Sequence, residues 1–167
     1  MVCKGSGCSV LMEGVTFNFC TLVALDGAAV TLTHCDFKAS LEIGTGICLL
    51  AHRAGTRVQA SNCCFTGGLQ CTAVHAGALF QGRKIQCSSS TVQGMEVKDA
   101  GSKLTLSGGC SVRDVDALRQ HTTSRLYSKG VFVHTGGSAV LEGCTVAGCV
   151  RYVVVYTVSV YSNNILI

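Results

Sequence analysis

Three histidines mark the places where chemistry could begin. His52, His75 and His134 each lie shortly before a glycine-bearing turn, in "LLAHRAGTRV", "AVHAGALFQGRKI" and "VFVHTGGSAV". Imidazole serves both as a metal ligand and as a proton carrier. Two of the three also end a Cys-x3-His spacing: Cys48 with His52, and Cys71 with His75. On a helix, such a spacing puts thiolate and imidazole on one face. On an extended strand the two residues are about 13 Å apart, whereas zinc needs its ligands within about 2.3 Å. The value of the motif therefore depends on which element carries it. The other tight cluster is acidic. Asp114 and Asp116 stand between Arg113 and Arg119. Two carboxylates at i and i+2 of a strand share a face at about 7 Å, close enough for a hard cation such as Ca²⁺. They fall in the polar stretch "RDVDALRQHTTSRLYSKG", 113–130, where a solvated loop is the plainer reading.

The elements that would position these residues come from an internal repeat. "AVLEGCTV" (139–146) reads apolar, x, apolar, x, x, Cys, x, apolar, and the same order occurs in "VTLTHCDF" (30–37) and "VQASNCCF" (58–65). "VLMEGVTF" (10–17) fits with Val15 in the Cys place, "IQCSSSTV" (85–92) with Ser90 there, and "LTLSGGCSV" (104–112) with one extra glycine. Each later copy is preceded by an apolar pair, a polar residue and a glycine turn. Period-2 alternation rich in β-branched residues specifies strands. Units of 19 to 35 residues, each with two or three short strands, specify coils that stack as a parallel β-helix. The expected architecture is all-β, a right-handed solenoid of about six to seven coils over residues 8–150. Residues 151–167 would be a C-terminal strand, cap or atypical tail.

Stacking turns each repeat position into a column with a spacing of about 4.8 Å. One apolar column should read Val10, Val30, Val58, Ile85, Leu104, Ala139. Cys35, Cys63, Cys110 and Cys144 should share another and face inward, since a free thiol packs as a small hydrophobe. A disulfide between coils would need a slight shift of in-register strands. The Phe17, Phe37 and Phe65 rings should stack inside. Asp26, His52, His75, Lys98 and His134 should share a polar column before the turn. His52 and His75 then lie about 5 Å apart in neighbouring coils, the one arrangement in which two imidazoles could act together.

Composition excludes several classes. The chain of 167 residues has a net charge of +4 from 13 Lys+Arg spread thinly, which gives no basic patch for nucleic acid. No run of 18 apolar residues occurs, so no membrane span is expected. The N-terminus lacks the apolar core of a signal peptide, and twelve cysteines then favour reduced thiols, with a cytoplasmic location if the chain is complete. No phosphate-binding glycine loop or G-x-S-x-G occurs, and no cofactor or metal site is expected. The tail "YVVVYTVSVY" (152–161) is a strong β signal, and self-association through it is a further expectation.

The repeat, over 8–150, resembles that of the right-handed parallel β-helix superfamily that includes pectin and pectate lyases. The resemblance implies fold. It also raises polysaccharide cleavage, which the residues support poorly. Among nine Asp+Glu, only Asp114 and Asp116 pair closely, and the paired aspartates, Gly-His-Gly and Arg-Ile-Lys of polygalacturonase-like hydrolases are missing. The expected function is a non-catalytic structural or binding module for carbohydrate or a protein partner, with His52, His75, Asp114 and Asp116 as candidate binding residues. A lyase or hydrolase of acidic polysaccharide is the alternative.

Overall fold

In the computed structural model the described residues are 1–40, 46–115, 129–149, 151–155 and 160–163. They form a parallel β-solenoid of stacked coils whose strands build three parallel sheets. The first sheet holds β1 (Val2–Lys4), β4 (Leu22–Leu25), β7 (Ile47–His52), β10 (Gln70–His75), β13 (Gln93–Lys98), β16 (Lys129–His134) and β19 (Arg151–Val155). The second holds β2 (Ser9–Glu13), β5 (Ala29–Thr33), β8 (Arg57–Ser61), β11 (Leu79–Arg83), β14 (Lys103–Ser107), β17 (Ser138–Glu142) and β20 (Val160–Asn163). The third holds β3 (Thr16–Asn18), β6 (Asp36–Ala39), β9 (Cys64–Gly67), β12 (Gln86–Ser88), β15 (Ser111–Arg113) and β18 (Thr145–Ala147). Strands enter the stack from Val2 onward, and β19 and β20 extend the first two sheets.

Alternation along each strand sorts side chains into core and surface. In β5, Val30 and Leu32 are buried while Thr31 is only half-buried. Stacking repeats that choice in every coil, so the interior is a set of ladders. The rings of Phe17 and Phe37 stack at 4.4 Å, and those of Phe37 and Phe65 at 4.9 Å, at the close end of the range for stacked aromatic pairs. Their planes differ by 4° and 13°.

The fourth coil corrects the expected columns. Val58 pairs with Phe80, and Phe80 with Leu104, so Phe80 takes the place assigned above to Ile85. Ile85 instead occupies the corner position of the cysteines, and Cys87 pairs with Phe65 in the phenylalanine column. The physical reason is a volume exchange. This coil moves its large ring from the third sheet to the second, and Gly82 makes room for it. A Cβ on Gly82 would meet Ile85 Cγ1 and Leu106 Cδ2 at 2.8 Å.

Two corners are built on left-handed backbone. Between the second and third sheets, His34, Asn62 and Lys84 all have φ near +52°, and Gly143 has φ +58°. Between the first and second sheets, Asp26, Arg53, Ala76, Asp99 and Thr135 have φ between +53° and +76°. This second corner alternates in length. Lys4 to Ser9, His52 to Arg57 and Lys98 to Lys103 enclose four residues; Leu25 to Ala29, His75 to Leu79 and His134 to Ser138 enclose three. The long turns at Thr56 and Ser102 bury a hydroxyl. Thr56 Oγ1 accepts from the Gly27 N–H of the short turn beside it (3.0 Å) and donates to His52 O (2.9 Å). Ser102 Oγ accepts from the Gly77 N–H (2.9 Å) and donates to Lys98 O. Each hydroxyl thus satisfies an inward amide that its shorter neighbour leaves unpaired, as buried backbone requires.

Candidate functional site

Outward-facing residues of the first sheet form the most organised polar cluster. Register puts Leu25, His52, His75, Lys98 and His134 in one column. Asp26, expected there, sits one step later, in the turn itself, where it pairs with Arg53 at 2.7 Å and Lys4 at 3.7 Å. Those cations hold its exposed carboxyl below the usual range, the Arg53 hydrogen bond most of all. The strand-end position of this coil holds the apolar Leu25, so the nearest polar residue, Asp26, was matched in its place.

The cluster centres on Glu96, which the sequence reading did not single out. Its Oε2 meets His75 Nε2 at 2.8 Å and its Oε1 meets His134 Nε2 at 3.0 Å. Gln70 Nε2 donates to Oε2 at 3.1 Å and also hydrogen-bonds Gln93. Burial of the Glu96 side chain opposes ionisation, but the hydrogen bonds from His75, His134 and Gln70 outweigh it. They hold the carboxyl down at about 2. Strand alternation places Glu96 two residues before Lys98, on the same face. That phase was the available signal, but it becomes a contact only when neighbouring coils are brought alongside. His134 is further positioned by stacking on Phe132 at 4.3 Å and by Thr135 Oγ1 at 2.9 Å from its Nδ1.

The other expected residues are dispersed. His52 meets His75 edge-on, with ring centroids 6.4 Å apart. Cys48 and Cys71 point into the core, where their thiols donate to carbonyls of strand β9: Cys48 to Thr66 O at 3.6 Å and Cys71 to Phe65 O at 3.3 Å. The Cys-x3-His spacing therefore places thiol and imidazole on opposite sides of one sheet. Asp114 is exposed at a left-handed turn, with φ +51° and its N–H donating to Ala147 O. Asp116 and Arg119 lie outside the described residues. Among the described residues no three of His, Cys, Asp and Glu converge to hold a metal ion, and no helix is long and apolar enough to cross a membrane.

A second surface runs across the outer face of the second sheet. Thr31, Gln59, Gln81 and Thr105 form its central column, flanked by Ser61, Arg83 and Ser107. Together they line a shallow groove of about 380 Å³. Gln59 Nε2 donates to Gln81 Oε1 at 3.2 Å, an amide ladder with further donors and acceptors facing outward. Carboxylates on this face occur at Glu13 and Glu142, in the first and sixth coils. With five strand spacings between them they are about 24 Å apart.

Comparison with known proteins finds no matching family model, no matching curated protein and no matching solved structure.

Proposed function

We propose that this chain is a non-catalytic binding module whose second sheet receives a neutral polysaccharide. In this reading the solenoid is a right-handed parallel β-helix of six to seven coils, of the kind that pectin and pectate lyases resemble. The repeat pattern and the long parallel sheets support that assignment. The groove lined by Thr31, Gln59, Gln81 and Thr105 carries the functional reading. Hydroxyls and primary amides match sugar hydroxyls in both donating and accepting, and they repeat along the solenoid as sugar units repeat along a chain. The same groove argues against cleavage. Glycoside hydrolysis needs two carboxyl groups about 5 to 9.5 Å apart, and Glu13 and Glu142 are far beyond that.

The test is calorimetric titration of the purified chain with neutral cello-, xylo- and malto-oligosaccharides, and with polygalacturonate plus Ca²⁺. Binding of one neutral series is expected, weakened about tenfold by Gln81→Ala, which removes one or two hydrogen bonds. No heat with any neutral series would sink the carbohydrate reading. Ultraviolet-absorbing unsaturated product from polygalacturonate, lost in Asp116→Ala, would establish a lyase instead.

A further inference from the structure

The twelve cysteines are free thiols, and most serve the core, but one pair differs from the rest. Cys110 and Cys144 occupy the corner between the second and third sheets in adjacent coils. The residues that follow them, Ser111 and Thr145, are paired in register, and the Thr145 N–H donates to Cys110 O at 2.9 Å. The two thiols are near enough for each to shift the other's ionisation. The Ile85 N–H also donates to Cys110 Sγ at 3.3 Å. Cys110, though buried, lies beneath a surface groove of about 390 Å³ that Gln86, Ser111, Arg113 and Thr145 also line. We propose that Cys110 and Cys144 are an oxidisable pair that peroxide converts to a disulfide joining adjacent coils.

Geometry favours this corner over its equivalents. A disulfide needs Cβ atoms about 3.5 to 4.5 Å apart, slightly less than the strand spacing of about 4.8 Å. Here the corner has room to adjust. It contains one residue more than the other corners, Gly108 and Gly109 both have positive φ, and a Cβ at Gly109 would meet nothing within 4 Å. Chemistry favours it too. Interaction with the Cys144 thiol, together with the Ile85 N–H, holds Cys110 below the usual thiol range against the effect of burial. Burial pushes Cys63 up to about 11 and Cys48 up to about 12. Burial likewise raises Cys3, beside Cys8, and Cys87, beside Cys71. Thiolate, not thiol, is the nucleophile, so Cys110 is the attacking sulfur.

The steps balance with peroxide as the two-electron oxidant. Cys110 thiolate attacks one peroxide oxygen and the O–O bond breaks. The sulfur becomes a sulfenic acid, and the hydroxide released takes up a proton to leave as water. Cys144 then loses its thiol proton and attacks the Cys110 sulfur. The S–O bond breaks, the S–S bond forms, and the departing hydroxide takes that proton as a second water.

The experiment treats the whole chain with graded hydrogen peroxide, blocks remaining thiols by alkylation and maps disulfide peptides by mass spectrometry. A Cys110–Cys144 peptide should form first, at least about tenfold faster than any other pair, because the more ionised thiol reacts first. In Cys144→Ser, Cys110 should accumulate as sulfenic acid that dimedone traps. Another pair forming first would overturn the proposal. So would a Cys110 that stays reduced while other thiols oxidise, or a Cys144→Ser chain in which dimedone labels a different cysteine.

Discussion

The solenoid carries two columns of reactive side chains, and they obey different rules. At the inner corner the column reads Val15, Cys35, Cys63, Ile85, Cys110, Cys144. On the outer face of the first sheet it reads Leu25, His52, His75, Lys98, His134. Inside, from Cys35 to Cys144, every member is buried and apolar or weakly polar, because each packs against the core. The thiols there donate to carbonyls, as Cys35 does to Thr33 O at 3.4 Å and Cys63 to Ser61 O at 3.2 Å. Outside, charge and size vary freely, and organisation arises only where neighbouring columns meet, as at Glu96. A column of like residues is thus a packing statement in the interior. On the surface, contacts between unlike columns carry the information.

The largest effect should come from breaking an inner ladder. Phe65→Ala removes a fully buried ring stacked on Phe37, and it should cost about 3 to 5 kcal/mol in urea unfolding. A loss near 1 kcal/mol would mean that the interior ladders yield as easily as the surface. Next comes the turn hydroxyl that lies between the two regimes. Thr56→Val keeps the shape and strands the Gly27 N–H, so a loss of about 1 to 3 kcal/mol is expected, with amide exchange at Gly27 accelerated. Unchanged exchange there would show that the hydroxyl is dispensable.

The outer cluster should contribute least, and only at suitable pH. Glu96 is held at about 2 in the folded chain, below the ordinary carboxyl value of about 4.3. A depressed folded value adds stability that is fully present above the unfolded value. It is lost as pH falls from about 4.3 toward 2. The wild-type chain should therefore lose about 1 to 2 kcal/mol over that interval, after allowance for solvent screening, that Glu96→Gln does not lose. Parallel pH profiles for the two chains would remove the cluster from any account of stability.

How much of this could be read from the residues depended on direction. Along the chain, alternation and glycine turns were sufficient for parallel stacked coils, the inward cysteines and the phenylalanine stack, because each follows from local period and steric fit. Across coils the reading slipped at particular places. In the fourth coil Gly82 stood where an apolar residue was sought, and Cys87, from the phenylalanine column, matched the template five residues too late. Asp26 was placed one step off because its coil carries apolar Leu25 at the column position, and the polar residue sought there lies next in the turn. Glu96 has no neighbour of interest within its own strand. Its partners are 21 and 38 residues away, and only the register brings them to it.

The alternating turns have a consequence for how such a chain can change length. Each buried hydroxyl serves the shorter turn next to it, so long and short coils are matched like the two halves of a hinge. Removing a single coil would bring two short turns together and leave an amide without its acceptor, or set two long turns against each other. Removing or duplicating two at once preserves every match. The turns therefore count in twos, and growth by a pair of coils keeps each buried hydroxyl beside the amide it serves.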